Sequence, residues 1–557
     1  MANLVIIYDH DTERRAGFLK SIQPHLAPVD GLISGTYNDG NLAVCWAINA
    51  NAPVSHNMDQ NGGAIVWGTP GNGRTVIGAS VLRTAWETTF PNMETFDGYY
   101  AAMTWQAADR IIIGADILGL FPVYYYKNNE ILLAGSSPEL FRFHPLFSPK
   151  FNPAGFAGIA VTNVLFNGQT LWRDVQRLGP GNFLMWRPGH QPTEKEHYRI
   201  PFGSTYYDLT FSEQIELIDS ALAKAIATQF TNTPQAGVML SGGLDSRTVA
   251  GYLVRSGIRT EALTFGLPGD IEMLCARAAA KQLGILHHTA AILDKDYPHY
   301  ADLQTTWGHG ANGFSNIWCW GFYRPLLSLP SRTAAGFILD NILGGPYPRQ
   351  RDRRVTFDTL FNHVNEWGIP RDILAQLLRK DVFGDVVGET LDSFKALYGG
   401  YHENEAWRTI CFKLEHQQRF HVGGVVWQMS FGAWPVLPGL DRAILAIAGG
   451  VPPATLFNRR AQEELLCRYF PRLAAIPLDT NSYKTRILQS QSTDRMRTYF
   501  RKLFRSSRSW RHKLPWPTSV DPRHYFRLYD VNGPGWRAVR HQAEQYRDCL
   551  ADYFDMD

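Results

Sequence analysis

From Gly237 to Gly257 the chain reads GVMLSGGLDSRTVAGYLVRSG, and no other stretch narrows the possible folds so far. GVML is a short apolar run of strand type, SGGLDS a small-residue turn, and the remainder places apolar residues at helical spacing. The neighbours extend the alternation. FSEQIELIDSALAKAIATQF, from Phe211, is helical with Ser212 as the candidate N-cap. EALTFG (Glu261 to Gly266) is a strand, and IEMLCARAAAKQLG is a helix ending near Gly284. Strands alternating with helices predict a parallel sheet covered by helices.

The first two hundred residues carry a different pattern. RIIIGADILGLFPVYYY (Arg110 to Tyr126) reads as two strands around a turn, and ILLAGS (Ile131 to Ser136) as a third. The clusters FNGQT (Phe166 to Thr170) and LGPGN (Leu178 to Asn182) punctuate further strands. Beyond about residue 355 the chain is mostly helical in pattern. At 557 residues it is too long for one ordinary core. A boundary near PFGSTYYD (Pro201 to Asp208) divides it into residues 1–203 and 204–557.

Hydrophobic residues make up 45% and charged residues 19%, a globular composition. The net charge of +3 is too small for this length to imply nucleic-acid binding. The six cysteines lie far apart with no C-x-x-C pair, which argues against a disulfide framework or a zinc site and fits a reducing compartment. LVIIY (Leu4 to Tyr8) is too short for a signal peptide and is followed at once by acidic residues. No run has the length of a membrane span. The expectation is a cytoplasmic protein with no membrane or nucleic-acid partner.

A loop between the carboxyl end of a parallel strand and a helix sits where α/β proteins bind ligands. The helix N-terminus presents unpaired N–H groups and partial positive charge to anions. Gly242 and Gly243 let the backbone approach such an anion, and Ser241 and Ser246 add hydroxyl donors. Asp245 would repel phosphate unless a cation lay between them, and magnesium is suited to bridging carboxylate and phosphate oxygens. The loop reads as a cradle for the pyrophosphate portion of ATP. It lacks the Gly-Lys-Ser/Thr ending of a Walker loop. The competing reading is a plain serine- and glycine-rich turn with Asp245 as helix cap.

Ser241-Gly242-Gly243-Leu244-Asp245-Ser246 resembles the pyrophosphate-binding loop of the asparagine synthetase superfamily, whose members adenylate a carboxylate and join it to an amine. GFILDNILGG (Gly336 to Gly345) resembles, in degenerate form, the family's second loop, with Gly336, Asp340, Gly344 and Gly345 in register. The resemblance implies that Asp245 and Asp340 hold magnesium together. It also implies nucleotide contacts from Leu240, Ser241, Gly242, Gly243, Ser246, Thr264, Phe265 and Gly336. LTFGLPGDIEMLCARAAAKQLGILHH, LPGLDRAILAIAGGVPP and RYFPRLAAIP are similar to later family segments, and GADILGLFPVYYY, SSPELF and RLGPGNFLMW to its N-terminal half. The implied fold is an N-terminal-nucleophile-like αββα domain of the class II glutamine amidotransferase type. An α/β adenine-nucleotide α-hydrolase-like domain with a largely helical C-terminal part follows.

Two departures set expectations about chemistry. Glutamine-using members begin Met-Cys, whereas this chain begins MANLVII, so Ala2 offers no nucleophile and the internal Cys45 cannot supply an α-amino base. The glutaminase is expected to be inactive, as in β-lactam synthetase, carbapenam synthetase and the lasso-peptide cyclases, whose amine belongs to the substrate. That favours ring closure on a molecule bearing both carboxylate and amine, such as a precursor peptide accompanied by leader-processing proteins. An ammonia-using asparagine synthetase is the alternative, and a nucleotide-binding scaffold without chemistry a more remote one. The second departure is Phe337, where asparagine synthetase has glutamate and β-lactam synthetase tyrosine. Lys484, in NSYKTRI, lies near where relatives place a late catalytic lysine that could stabilise the tetrahedral intermediate and departing AMP. WGHGANGFSNIWCWG (Trp307 to Gly321) reads as either an acceptor cleft or core, and Arg349, Arg351, Arg353 and Arg354 as phosphate contacts or solvated charges. Glu415 and His416 read as a helix-surface pair.

Overall fold

A computed structural model describes residues 3–106, 110–344, 356–364, 368–478 and 528–555. Its N-terminal strands form two six-stranded antiparallel sheets. One runs in the order Val175–Arg177, Tyr124–Tyr126, Leu132–Gly135, Asn3–Tyr8, Leu42–Ile48, Ile33–Asp39. The other runs Thr193–Glu196, Asn182–Trp186, Arg110–Ala115, Tyr100–Gln106, Gly62–Gly68, Val54–Asp59.

Period-two patterning explains the layering. In the Gly62–Gly68 strand Ile65 and Trp67 join the core shared with the first sheet, while Ala64 and Val66 join a separate cluster under the Ala79–Thr89 helix. Leu82 and Trp86 of that helix complete the cluster. On the other side the Thr12–Ile22 helix buries Phe18 and Ile22. The result is the expected αββα sandwich. The two strands read from GADILGLFPVYYY lie in different sheets, Arg110–Ala115 in the second and Tyr124–Tyr126 in the first.

The third sheet is five-stranded and wholly parallel, in the order Leu286–Ala290, Arg259–Phe265, Gln235–Met239, Arg332–Ala334, Trp434–Val436. The chain starts at the centre, moves outward through two strands, and returns to the other side of Gln235–Met239. Strand order therefore reverses between Gln235–Met239 and Arg332–Ala334. A methyl on Gly237 would meet the Thr333 hydroxyl at 2.2 Å, so glycine permits this pairing. The Phe211–Gln229 helix is capped by Thr210 rather than Ser212. Thr210 Oγ1 accepts from the Glu213 N–H at 3.3 Å and Glu213 Oε2 accepts from the Thr210 N–H at 2.7 Å, a capping box that a single serine cannot match.

The sandwich and the parallel sheet share one core. Trp434 donates its indole N–H to the Tyr99 carbonyl at 3.2 Å, and Gly98 N–H reaches the Leu440 carbonyl at 3.0 Å. Asp97 accepts from the Arg442 backbone N–H at 2.9 Å and its guanidinium Nε at 3.0 Å. Among the described residues no helix is long and apolar enough to cross a membrane.

Asp97→Ala removes the nearer carboxylate from Arg442, whose guanidinium keeps Glu94 Oε1 at 3.5 Å, and takes the acceptor from its backbone N–H. The expected loss is about 2 kcal/mol of stability, discounted for the partial exposure of the guanidinium. Urea unfolding against the parent chain measures it.

Candidate active site

Reversal of strand order brings two loops to the same end of the sheet. One follows Gln235–Met239 and the other follows Arg332–Ala334, its hydrogen-bonded neighbour. A crevice outside the carboxyl ends of strands at such a reversal is where open α/β sheets bind ligands.

The first loop is fixed at its root. Leu240 N–H continues the strand pairing to the Leu263 carbonyl at 3.0 Å, and the Thr264 hydroxyl donates to the Leu240 carbonyl at 2.6 Å. Thr264 also lies 2.8 Å from His287 Nε2, and Phe265 stacks on Phe322 at 4.3 Å. The side chains of Leu240, Thr264 and Phe265 thus brace the crevice. Within the loop the Ser241 and Ser246 hydroxyls are 2.9 Å apart, and Gly243 N–H donates to Ser241 Oγ at 3.2 Å. Gly243 is the N-cap of the Leu244–Arg255 helix, extended at φ −83° and ψ 173°, with no side-chain cap. Asp245 is therefore not the cap, and the loop is not a plain capped turn. Neither Gly242 nor Gly243 has positive φ. Their use is the absence of a side chain over the helix start.

Arg247, fully buried, ties this loop to the far end of the domain. Its guanidinium donates to the carbonyls of Gly242 at 3.0 Å, Leu473 at 3.0 Å, Ile476 at 2.7 Å and Pro477 at 2.7 Å.

The second loop presses directly on the first. A methyl on Gly336 would lie 2.6 Å from the Asp245 carbonyl carbon and 2.7 Å from its Cβ. Phe337 packs against the core and supplies no acid or base. Ile338 is left-handed at φ 65°, a costly conformation for a β-branched residue, and it starts the Leu339–Ile342 helix that carries Asp340. Asp245 and Asp340 then converge on one guanidinium. Arg459 Nη2 is 2.9 Å from Asp245 Oδ2 and 3.7 Å from Asp340 Oδ2. Gln462 donates to Asp245 Oδ1 at 2.5 Å. Burial raises the Asp245 carboxyl to about 6; Arg459 pulls it down, Asp340 pushes it further up and Gln462 lowers it. Lys413, 5% exposed, adds a cation on this side of the sheet, its ammonium pushed down by burial and pulled up by Asp340.

Two carboxylates focused on one cation suit a magnesium ion. Among the described residues no group of three or more His, Cys, Asp or Glu converges, so phosphate and water oxygens would complete such a site.

Sequence reasoning missed Arg459, Gln462 and Lys413. Arg459 and Gln462 belong to an ordinary polar helix start, FNRRAQEE, and carry no local signal. Lys413 ends EAWRTICFK, where a lone lysine among apolar residues is the one available hint. Lys484, Gly345, Arg349, Arg351, Arg353, Arg354 and Ala2 lie outside the described residues. Cys45 is buried beside Thr36, and burial raises its thiol. The Trp307–Gly321 stretch packs against the sandwich instead of forming an open acceptor wall. His309 Nε2 is 3.0 Å from Glu139 Oε2, the Ser137 hydroxyl donates to the Trp307 carbonyl at 2.9 Å, and Trp320 is buried.

Glu415 and His416 are not a surface pair. The Tyr401 hydroxyl donates to Glu415 Oε2 at 2.7 Å and lies 2.6 Å from His416 Nε2. Burial and the nearby Arg419 push His416 down to about 3. Helical periodicity exposes every third or fourth residue only when one face is uncovered; here Phe166, Phe394, Tyr401 and Phe412 pack around His416.

Residues 217–311 match the family model for asparagine synthase, and residues 79–199 that for the glutamine amidotransferase domain. Over these two segments the chain is similar to the asparagine synthetase superfamily. The amidase chry2 of Gibberella zeae is 22% identical over 209 residues, covering 36% of this chain and 31% of its own length. The 7-cyano-7-deazaguanine synthase of Frankia casuarinae is 40% identical over 63 residues, 11% of this chain and 27% of that protein. The chain thus spans about a third or less of these relatives. Among solved structures, NMN synthetase from Francisella tularensis aligns at 16% identity and TM-score 0.21, covering 39% of this chain and 96% of its own. An allosteric regulatory enzyme of purine biosynthesis aligns at 10% identity and TM-score 0.23, covering 52% and 80%.

Gly336→Ala forces the two loops apart. ATP binding is expected to weaken at least about tenfold with little change in helix content, measured by calorimetric titration and circular dichroism. For His416 the native value lies below the unfolded value of about 6.5, so the unfolded chain takes up a proton first as pH falls. His416→Gln should flatten the loss of stability below pH ~6.5 by up to about 1.4 kcal/mol per pH unit, read from urea unfolding at stepped pH.

Proposed function

We propose that this chain is an ATP-dependent ligase that adenylates a carboxylate and joins it to an amine. The observation that carries the reading is the convergence of Asp245 and Asp340, from two adjacent strand-end loops, on a single cation beside the SGGLDS helix start. The N–H groups of the first turn after Gly243, where the helix has no side-chain cap, would bind pyrophosphate oxygens. Magnesium, when bound, supplies charge neutralisation between these carboxylates and the phosphates. The two aspartates would hold it, and Gly336 keeps the second loop close enough for them to do so.

In the first step a substrate carboxylate oxygen bonds to the α-phosphorus of ATP and the bond to the β-phosphate oxygen breaks, releasing pyrophosphate. In the second an amine nitrogen bonds to the acyl carbon, AMP leaves with the bonding pair, and the amine loses a proton. Lys413 and Arg459 offset the negative charge that collects at the leaving groups, and Lys484 is the sequence-derived candidate for stabilising the departing AMP. Orientation and charge neutralisation account for most of the rate.

The substrate class we propose is one molecule holding both groups, closed to a lactam. A precursor peptide cyclised to a macrolactam, with leader-processing partner proteins, is the leading example. Amidation of aspartate by free ammonia is the alternative.

Incubation with Mg-ATP and a carboxylate–amine substrate should yield AMP and pyrophosphate rather than ADP, with Asp245→Ala lowering the rate at least about 100-fold. Asparagine formed from aspartate and ammonium would overturn the ring-closing reading and leave an ammonia-using synthetase.

A further inference from the structure

The most unusual backbone in the site belongs to a residue outside both loops. Asn458 and Arg459 are consecutive and both left-handed, at φ 56° and 63°, where non-glycine residues cost free energy. Such a pair survives where surrounding contacts hold it. Arg459 N–H donates to the Gly344 carbonyl at 3.2 Å, pinning the bend to the end of the second loop, and its guanidinium is thereby aimed between Asp245 and Asp340.

Each Asp245 oxygen already has a partner, Gln462 on Oδ1 and Arg459 on Oδ2. A divalent cation would take the place between the two carboxylates that the guanidinium now fills, so the guanidinium and the metal compete for the same negative charge. A guanidinium also suits phosphate oxygens through its planar fork. The Arg459 side chain is 28% exposed, which leaves it room to turn without unpacking the core.

We propose that Arg459 is the exchangeable counter-cation of the phosphate site. It neutralises Asp245 and Asp340 while the site is empty of nucleotide, and transfers to the pyrophosphate oxygens when a divalent cation takes the two carboxylates. Two like charges facing each other without a cation would open the loops, so the exchange keeps the site assembled at both stages. This rests on the nucleotide-site reading above, and it assigns Arg459 a positioning role toward the metal and a binding role toward phosphate.

The two roles predict effects of opposite sign. Mn2+ in place of magnesium is titrated into the full chain without nucleotide and followed by electron paramagnetic resonance. Inorganic pyrophosphate is titrated separately by calorimetry at saturating Mn2+. Arg459→Ala should bind Mn2+ about tenfold more tightly, because the carboxylates are released, and pyrophosphate about tenfold more weakly. Arg459→Lys, which keeps the charge but not the fork, should leave Mn2+ affinity near the parent value and still weaken pyrophosphate. Circular dichroism and thermal melting verify that both variants fold, and the lysine variant carries the test if the alanine variant does not. Unchanged or weaker Mn2+ binding by Arg459→Ala, with Asp245→Ala abolishing it, would overturn the exchange while leaving the metal site intact. Mn2+ binding indifferent to Asp245→Ala would instead remove the nucleotide-site reading itself.

Discussion

Asp245 and Asp340 repel each other, and the tertiary structure holds them facing one point. Everything around the crevice answers that repulsion. Arg459 stands between them, Lys413 adds a buried cation, and Gln462 donates to the remaining oxygen of Asp245. Gly336, having no side chain, lets the second loop lie against the Asp245 backbone and so brings the two carboxylates together. In a medium of low dielectric such a pair needs a cation at all times.

The sheet supplies the geometry that makes the repulsion possible. Only where strand order reverses do two successive loops from neighbouring strands stand open at the same end. The Arg332–Ala334 strand is three residues long and pairs with Gln235–Met239 through two positions, so the ladder alone is a weak anchor for its loop. The strained Ile338 turn and the Arg459 N–H bond to Gly344 take over that task. Local strain here is offset by long-range contacts. Arg247 works over the same range, its carbonyl partners at Leu473, Ile476 and Pro477 joining the first loop to residues more than two hundred positions later.

The N-terminal sandwich packs directly against the parallel sheet. It shares a core with the parallel sheet through Tyr99 and Trp434 and an ion pair through Asp97 and Arg442. Elsewhere the rings of Phe166, Phe394, Tyr401 and Phe412 cover His416, and turn a pair legible as surface into one enclosed around the Tyr401 hydroxyl. The glycine-rich Trp307–Gly321 stretch is recruited to the sandwich interface, its polar side chains spent on Glu139 and Gln304.

Whatever depends on near neighbours was legible along the chain. Alternating apolar residues made the sandwich strands, the alternation of strand and helix made the parallel sheet, and SGGLDS marked the strand-to-helix turn beside Asp245. The glycines in register at the second loop also paired Asp245 with Asp340, because they preserve a loop shape. Chain neighbours misled where a competing partner was two residues away, as when Thr210 with Glu213 displaced Ser212 as cap. Which charges meet was settled by three-dimensional packing alone. Arg459 reaches Asp245 across more than two hundred residues through two left-handed dihedrals, and no composition or periodicity encodes that direction. Burial, which sets the charge state of Asp245, Lys413 and His416, is likewise a property of the assembled layers, since a side chain is desolvated by what packs over it and not by its sequence neighbours.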